Sequence, residues 1–411
     1  MNVDELVRDS LREQAAEQPP LAPGFAERVL TVRRRRRTRS FATVAAATAA
    51  VVAVAVAVPL LDSGKDELRL STEMNRSDII AHPDQSPPRD LIAAGDVALA
   101  AWFTVDTVKT SKDTAVPVRT YRVLDQETGK YVKDTRWSQV AVAPGMRTAA
   151  VLEKDLPARR IGLLDLLTGE VERWIPVDRG VASVEFSPDG TRLVATTYSK
   201  NPDLLARAAN DLDGDGKKND FMREEWSKSY RTGFYIVDVD SGGTEWTEVP
   251  VEEPENGLVI VNPRQDFSFS DDGKLVRSGL STESYDQYYD LKGAEVDKPA
   301  AEKYLTWLVK AGLSPNGKLA AGDFAGGAKT TASEIVDPRT GKRLHKIPGQ
   351  QLLAWADNER LVAWDITAGD SEFHNALVLV TIGSDKTLRL SGARKGDDGA
   401  AGRWNPVFAT R

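Results

Sequence analysis

Short apolar runs alternate with polar turns through most of the chain, at a nearly regular spacing. VEFSPDGTRLVATT begins at Val184, FSFSDDGKLVRSG at Phe267 and AGLSPNGKLAAGD at Ala311. VAVAPGMRTAAVL at Val140 and LLAWADNERLVAWD at Leu352 share the pattern. In each, an apolar strand runs into a tight turn and a second apolar strand leaves it. Asp-Gly or Asn-Gly supplies the positive φ that such turns need. The first turn residues, Ala143, Ser187, Ser270, Ser314 and Trp355, lie 44, 83, 44 and 41 positions apart. A second hairpin falls between these. It reads YRVLDQETGK from Tyr121, IGLLDLLTGE from Ile161, FYIVDVDSGG from Phe234 and SEIVDPRTGK from Ser333. QYYDLKGAE from Gln287 and LVLVTIGSDK from Leu377 are weaker copies. Two hairpins per repeat make four strands, and four strands every ~40–50 residues is the period of propeller blades.

The S-P-D-G turn followed by the V-D-x-x-T/S-G hairpin resembles the WD40-like (PD40) repeats of TolB-type bacterial β-propellers. The resemblance covers roughly residues 90–411 and implies an all-β propeller. About six four-stranded blades are expected, at 91–136, 137–179, 180–262, 263–304, 305–348 and 349–394. RWNPVFATR, at the C-terminal end, reads as one more strand. It is expected to close the ring on the first blade or to begin a seventh. The Trp-Asp pair of eukaryotic WD40 repeats occurs only at Trp364-Asp365, which sets this chain apart from that subfamily.

The 83-residue interval exceeds its 44-residue neighbour by 39, and residues 199–232 show no strand alternation. They are read as an insertion. At its middle, DLDGDGKKND puts Asp211, Asp213 and Asp215 at loop positions 1, 3 and 5. Gly216 permits a sharp turn, Lys217 offers its carbonyl, and Asn219 and Asp220 follow. The spacing resembles calcium loops of the EF-hand, dockerin and propeller-hairpin types. It departs from the EF-hand, because Met222 stands where a bidentate Glu is needed. A bound Ca²⁺ is the expectation, and an acidic solvated turn is the alternative.

The N-terminal part follows other rules. FATVAAATAAVVAVAVAVPLL, Phe41 to Leu61, carries no charge over 21 residues. As a helix it would span roughly 30 Å, one bilayer core. Arg33–Arg37 and Arg39 directly precede it, and the positive-inside rule keeps that flank in the cytoplasm. The expected order is a cytoplasmic tail (1–40), a transmembrane helix (41–61), a linker (62–90) and an extracytoplasmic propeller (91–411). The alternative is secretion after cleavage near Ala55 and Ala57. In the tail, Val3, Leu6, Val7 and Leu11 share one helical face, a pattern suited to docking on a cytoplasmic regulator.

Charge and chemistry narrow the function. The net charge is −7, and nine arginines against six acids leave residues 1–40 at +3, so the remainder carries −10. Such a domain is a poor nucleic-acid binder, since nothing neutralises phosphate. There is no cysteine, and His82, His345 and His374 are scattered. No nucleophile elbow, P-loop, H-E-x-x-H or dinucleotide fingerprint occurs. The arrangement of basic tail, anchor and propeller also resembles membrane-tethered propeller proteins of actinobacteria, which implies a link to alternative sigma factors. The expected role is therefore a non-catalytic binding or sensor protein. The alternatives are an envelope hydrolase or lyase on a metal-binding propeller, or a TolB-like assembly scaffold.

Overall fold

The computed structural model describes residues 79–210, 219–224, 229–249, 251, 264–279, 286–305, 309–326, 331–367, 373–394, 396 and 402–411. Every regular element among them is a β-strand. The first are β1 (Ala93–Ala94), β2 (Val97–Lys109), β3 (Thr114–Asp125) and β4 (Lys130–Asp134). A second meander holds β5 (Trp137–Val142), β6 (Thr148–Glu153), β7 (Ala158–Asp165) and the first half of β8 (Glu170–Phe186). The second half of β8 starts the next unit and pairs with β9 (Arg192–Tyr198). After β10 (Leu205–Asn210) and β11 (Asn219–Glu224), the unit resumes with β12 (Arg231–Asp238) and β13 (Thr244–Glu248).

Next come β14 (Phe267–Phe269), β15 (Val276–Gly279), β16 (Asp286–Tyr289) and β17 (Glu295–Val296), paired in that order. Leu313 then bridges to the first residue of β18 (Ala320–Phe324), which pairs with β19 (Ala332–Val336) and through it with β20 (Arg343–Pro348). The last meander is β21 (Gln351–Trp355), β22 (Arg360–Ile366), β23 (Asn375–Thr381) and β24 (Thr387–Arg389). β25 (Trp404–Thr410) then pairs antiparallel with β2, from Val97 opposite Thr410 to Thr104 opposite Trp404. The C-terminal strand thus completes the first unit, in the order β25-β2-β3-β4. Sequential four-stranded antiparallel meanders closed by the last strand are the connectivity of a β-propeller. Both hairpin types read from the sequence are antiparallel pairs here.

Burial explains the run-like apolar pattern. In β9 every residue from Leu193 to Tyr198 is buried, as are Leu361–Trp364 in β22. A strand covered on both faces has no reason to alternate. The outermost strands β4, β13 and β24 are largely exposed or half-buried.

The turn chemistry is shared between units. Ser187, Ser270 and Ser314 are fully buried, and each Oγ accepts the N–H five residues on, at 3.0 Å. Each also donates to the side chain two residues on, Asp189, Asp272 or Asn316. Gly190, with φ +74°, then closes the turn in a conformation that only glycine adopts freely. Hydrogen bonds to Ser187 and Thr191 hold the Asp189 carboxyl down at about 2. Asp189 and Asp272 thus serve their own turns.

The insertion differs from the expected irregular loop. β10 and β11 form a hairpin, from Leu205 opposite Glu224 to Asn210 opposite Asn219. β10 also joins the edge of β3 at Thr114 and Ala115. Leu-Ala-Arg-Ala-Ala-Asn carries little strand signal of its own. What makes it a strand is the unpaired backbone offered by the long β2–β3 hairpin. Residues 79–90, within the span read as a linker, are also hydrogen-bonded to the first and last meanders.

Candidate functional site

The β2–β3 hairpin outgrows its sheet. Pairing with β25 ends at Thr104, but β2 continues five residues to Lys109, roughly 17 Å at ~3.4 Å per residue. The β10–β11 hairpin extends four residues past Ala206, which stands opposite Thr114. The two hairpins form an arm reaching on the order of 30 Å from the closed end of the first sheet. Arg207 ties them together. It pairs with Asp220 across the hairpin and with Asp113 at 3.4 Å on the β2–β3 turn. The Arg207 hydrogen bond holds the Asp220 carboxyl below its ordinary range.

Among the expected calcium ligands, Asn219 and Asp220 open β11, and Asp220 is engaged by Arg207. Asp211, Asp213, Asp215 and Lys217 lie outside the described residues. In sequence they fall between Asn210 and Asn219, the last paired residues of the hairpin. Among the described residues, no group of three or more His, Asp or Glu side chains could hold a metal ion. Likewise no described helix is long and apolar enough to cross a membrane, and the apolar run 41–61 lies outside the described residues.

At the foot of the arm stands a charged cluster that sequence reasoning missed. Asp203 is 8% exposed and accepts from Arg119 on β3 at 2.8 Å and from Arg264 at 2.7 Å. Arg264 also donates to Asp266 at 2.8 Å and to the Ala182 carbonyl at 3.1 Å. Tyr198 donates to Asp266 at 2.8 Å, and its oxygen accepts the Gln265 N–H. Burial would raise the Asp203 carboxyl, but Arg264 and then Arg119 hold it below the ordinary range. One carboxylate therefore joins the first unit, the base of the insertion and the chain entering β14. No motif marks it, because its partners lie 84 and 61 residues away.

A second polar site lies between β8 and β14. Glu185 Oε1 accepts the Phe269 N–H at 3.3 Å. The Glu185 side chain itself is exposed to solvent. Desolvation pushes its carboxyl up to about 7, opposed by Arg277 and the Phe269 N–H and reinforced by Asp266 and Asp271. Desolvation also lowers the Lys310 ammonium, opposed by Glu185. Nearby, Glu302 accepts from Tyr288 at 2.8 Å and from the Asp271 N–H at 2.9 Å.

No family model matches the chain, and no curated protein matches it. Solved structures give distant likenesses. TolB from Acinetobacter baumannii is 14% identical, with 71% of this chain and 67% of that chain covered and a TM-score of 0.34. The Cps50 (Swd1) β-propeller domain of Myceliophteria thermophila is 10% identical, covering 68% and 98%, at 0.30. Hydrazine synthase of Kuenenia stuttgartiensis is 12% identical at 0.31, and the chain spans 64% of its length. At these scores the likenesses carry no statement about activity, and the propeller connectivity rests on the strand pairing itself.

Proposed function

We propose that this chain is a single-pass membrane protein with a cytoplasmic tail and an extracytoplasmic, six-bladed propeller that acts as a non-catalytic binding or sensor module. The observation that carries the reading is the arm. A double hairpin built on the first and third meanders projects from the ring, with an Arg–Asp cluster at its foot, and the acidic sequence 211–218 falls between its last two strands. A scaffold that spends two hairpins on a projecting edge presents a surface for a partner. Ca²⁺ held by Asp211, Asp213, Asp215 and neighbours stiffens that stretch, since the cation removes the repulsion among the carboxylates. The tail, through Leu6 and Leu11, docks a cytoplasmic regulator such as a sigma factor.

One observation favours the enzymatic alternative: the Glu185 carboxyl, raised to about 7, has the range of a general acid or base. The binding reading stands on more of the molecule. Its test is topology and partner capture together. Protease added to intact spheroplasts digests the propeller and spares residues 1–40. A pull-down with residues 1–40 then retains one regulator, and Leu6→Asp with Leu11→Asp releases it. A mature chain beginning near Val58, or identical capture by the double variant, refutes the reading.

A further inference from the structure

We propose that residues 79–90 form a displaceable clasp over the ring closure, so that drawing the preceding chain away from the propeller opens the β25–β2 seam. Among the described residues, that seam is where the first meander depends on a strand from the other end of the chain. The clasp crosses it from side to side. On the side of the last meander, the His82 N–H donates to the Leu390 carbonyl at 2.8 Å, and the Gln85 carbonyl accepts from Gly392 at 2.8 Å. On the side of the first meander, the Tyr131 N–H donates to the Arg89 carbonyl at 3.1 Å, and the Leu91 N–H to the Gly129 carbonyl at 2.8 Å. Ile80 exchanges two backbone bonds with Ala93.

Between these ends the clasp satisfies the two tryptophans that face each other at the seam. Trp404 of β25 donates to Ser86 Oγ at 3.1 Å, and Trp102 of β2 donates to the Pro88 carbonyl at 3.0 Å. Both indoles are almost wholly buried, and their rings stand 6.2 Å apart. Removing the clasp leaves two buried N–H groups without these acceptors and wets the apolar contact they frame. The clasp holds its own shape through Gln85, whose Oε1 accepts the Arg89 and Asp90 N–H groups and whose Nε2 donates to Asp90. Its contacts to the ring are separate hydrogen bonds and the packing of Ile80 and Ala81 rather than a continuous ladder, and the core-buried Leu91 and Ile92 anchor its C-terminal end. The separate contacts therefore yield one after another when the chain before Ile79 is pulled, whereas the β25–β2 ladder shears as a unit.

The absence of cysteine from the chain makes a clean test. A Cβ built at Gly392 would stand 3.1 Å from Ser86 Cβ, close to the ~3.5–4.5 Å that a disulfide spans. The full chain carrying Ser86→Cys and Gly392→Cys, with peptide tags at both ends, is stretched in an optical trap. The reduced form should show a low-force first step that frees the clasp and then β25. Oxidation should abolish that step, and reductant should restore it. A first step at the same force in both forms overturns the proposal. If the double variant does not fold, Gln85→Ala serves, since it removes the side chain that holds the clasp's shape through Arg89 and Asp90. Deuterium exchange in β25 and β2 should then rise on the order of tenfold while β14–β17 stay unchanged, and a uniform change refutes the clasp. Neither readout involves a membrane or a partner, so the clasp stands or falls apart from the proposed function.

Discussion

Replacing Asp203 with Ala tests whether one carboxylate holds the arm to the ring. The side chain is 8% exposed and bonded to two guanidiniums at 2.7 and 2.8 Å. Removing one member of such a buried network costs about 3–5 kcal/mol, because the remaining charges lose their partner. Relief is partial here. Arg264 keeps Asp266 and the Ala182 carbonyl, and Arg119 keeps the Ser138 carbonyl at 3.4 Å with a fifth of its side chain in water. The lower end, about 3 kcal/mol, is therefore expected. For a propeller of this size, with unfolding entropy near 2 cal/mol/K per residue, that lowers Tm by about 4 °C.

The pH dependence adds a second axis. Because the folded Asp203 carboxyl is held below its ordinary range, its contribution is complete above about pH 4–5 and fades as pH falls through the folded value. The gap between wild type and variant, measured by calorimetry on the full-length chain, should be full at neutral pH and shrink below about pH 4. Exchange in β3 and β10 should quicken in the variant. A Tm change under 1 °C at neutral pH, or a gap that persists at low pH, would refute this account of the cluster.

Two further outcomes follow from the sites. Ca²⁺ at ten times its Kd should stabilise the chain by about 1.4 kcal/mol, visible as a small rise in Tm. Replacing Asp211, Asp213 and Asp215 with Asn should remove that rise and leave the calcium-free Tm unchanged; calorimetry showing no calcium binding by the wild type would sink the site. Glu185 has a folded value raised to about 7 from 4.5, so the native state holds a proton that the unfolded chain releases, and wild-type stability falls as pH climbs between those values. Glu185→Gln should therefore match wild type at pH 4 and exceed it at pH 8, with Arg277 and Lys310 tempering the gain; an equal difference at both pH values would contradict the assigned shift.

The hairpins were legible in the sequence because their information is local. Ser187 and Asp189 shape a turn within six residues, and Gly190 supplies the positive φ that no neighbour can provide. Repetition of such turns with apolar strands between them specifies four-stranded meanders before any long-range contact forms. RWNPVFATR was legible as a strand but not as the partner of β2, because pairing choice depends on which strand edge the ring leaves open. β10 lay further out of reach. Its alanines have no strand preference of their own, and they became a strand by borrowing the edge of β3. Asp203 and Glu185 look like any surface acid in one dimension. Only the fold brings Arg119 and Arg264 to the first, and Phe269 and Arg277 to the second. Desolvation and charge pairing act over a few ångströms of space, and those neighbours are separated by dozens of residues of chain.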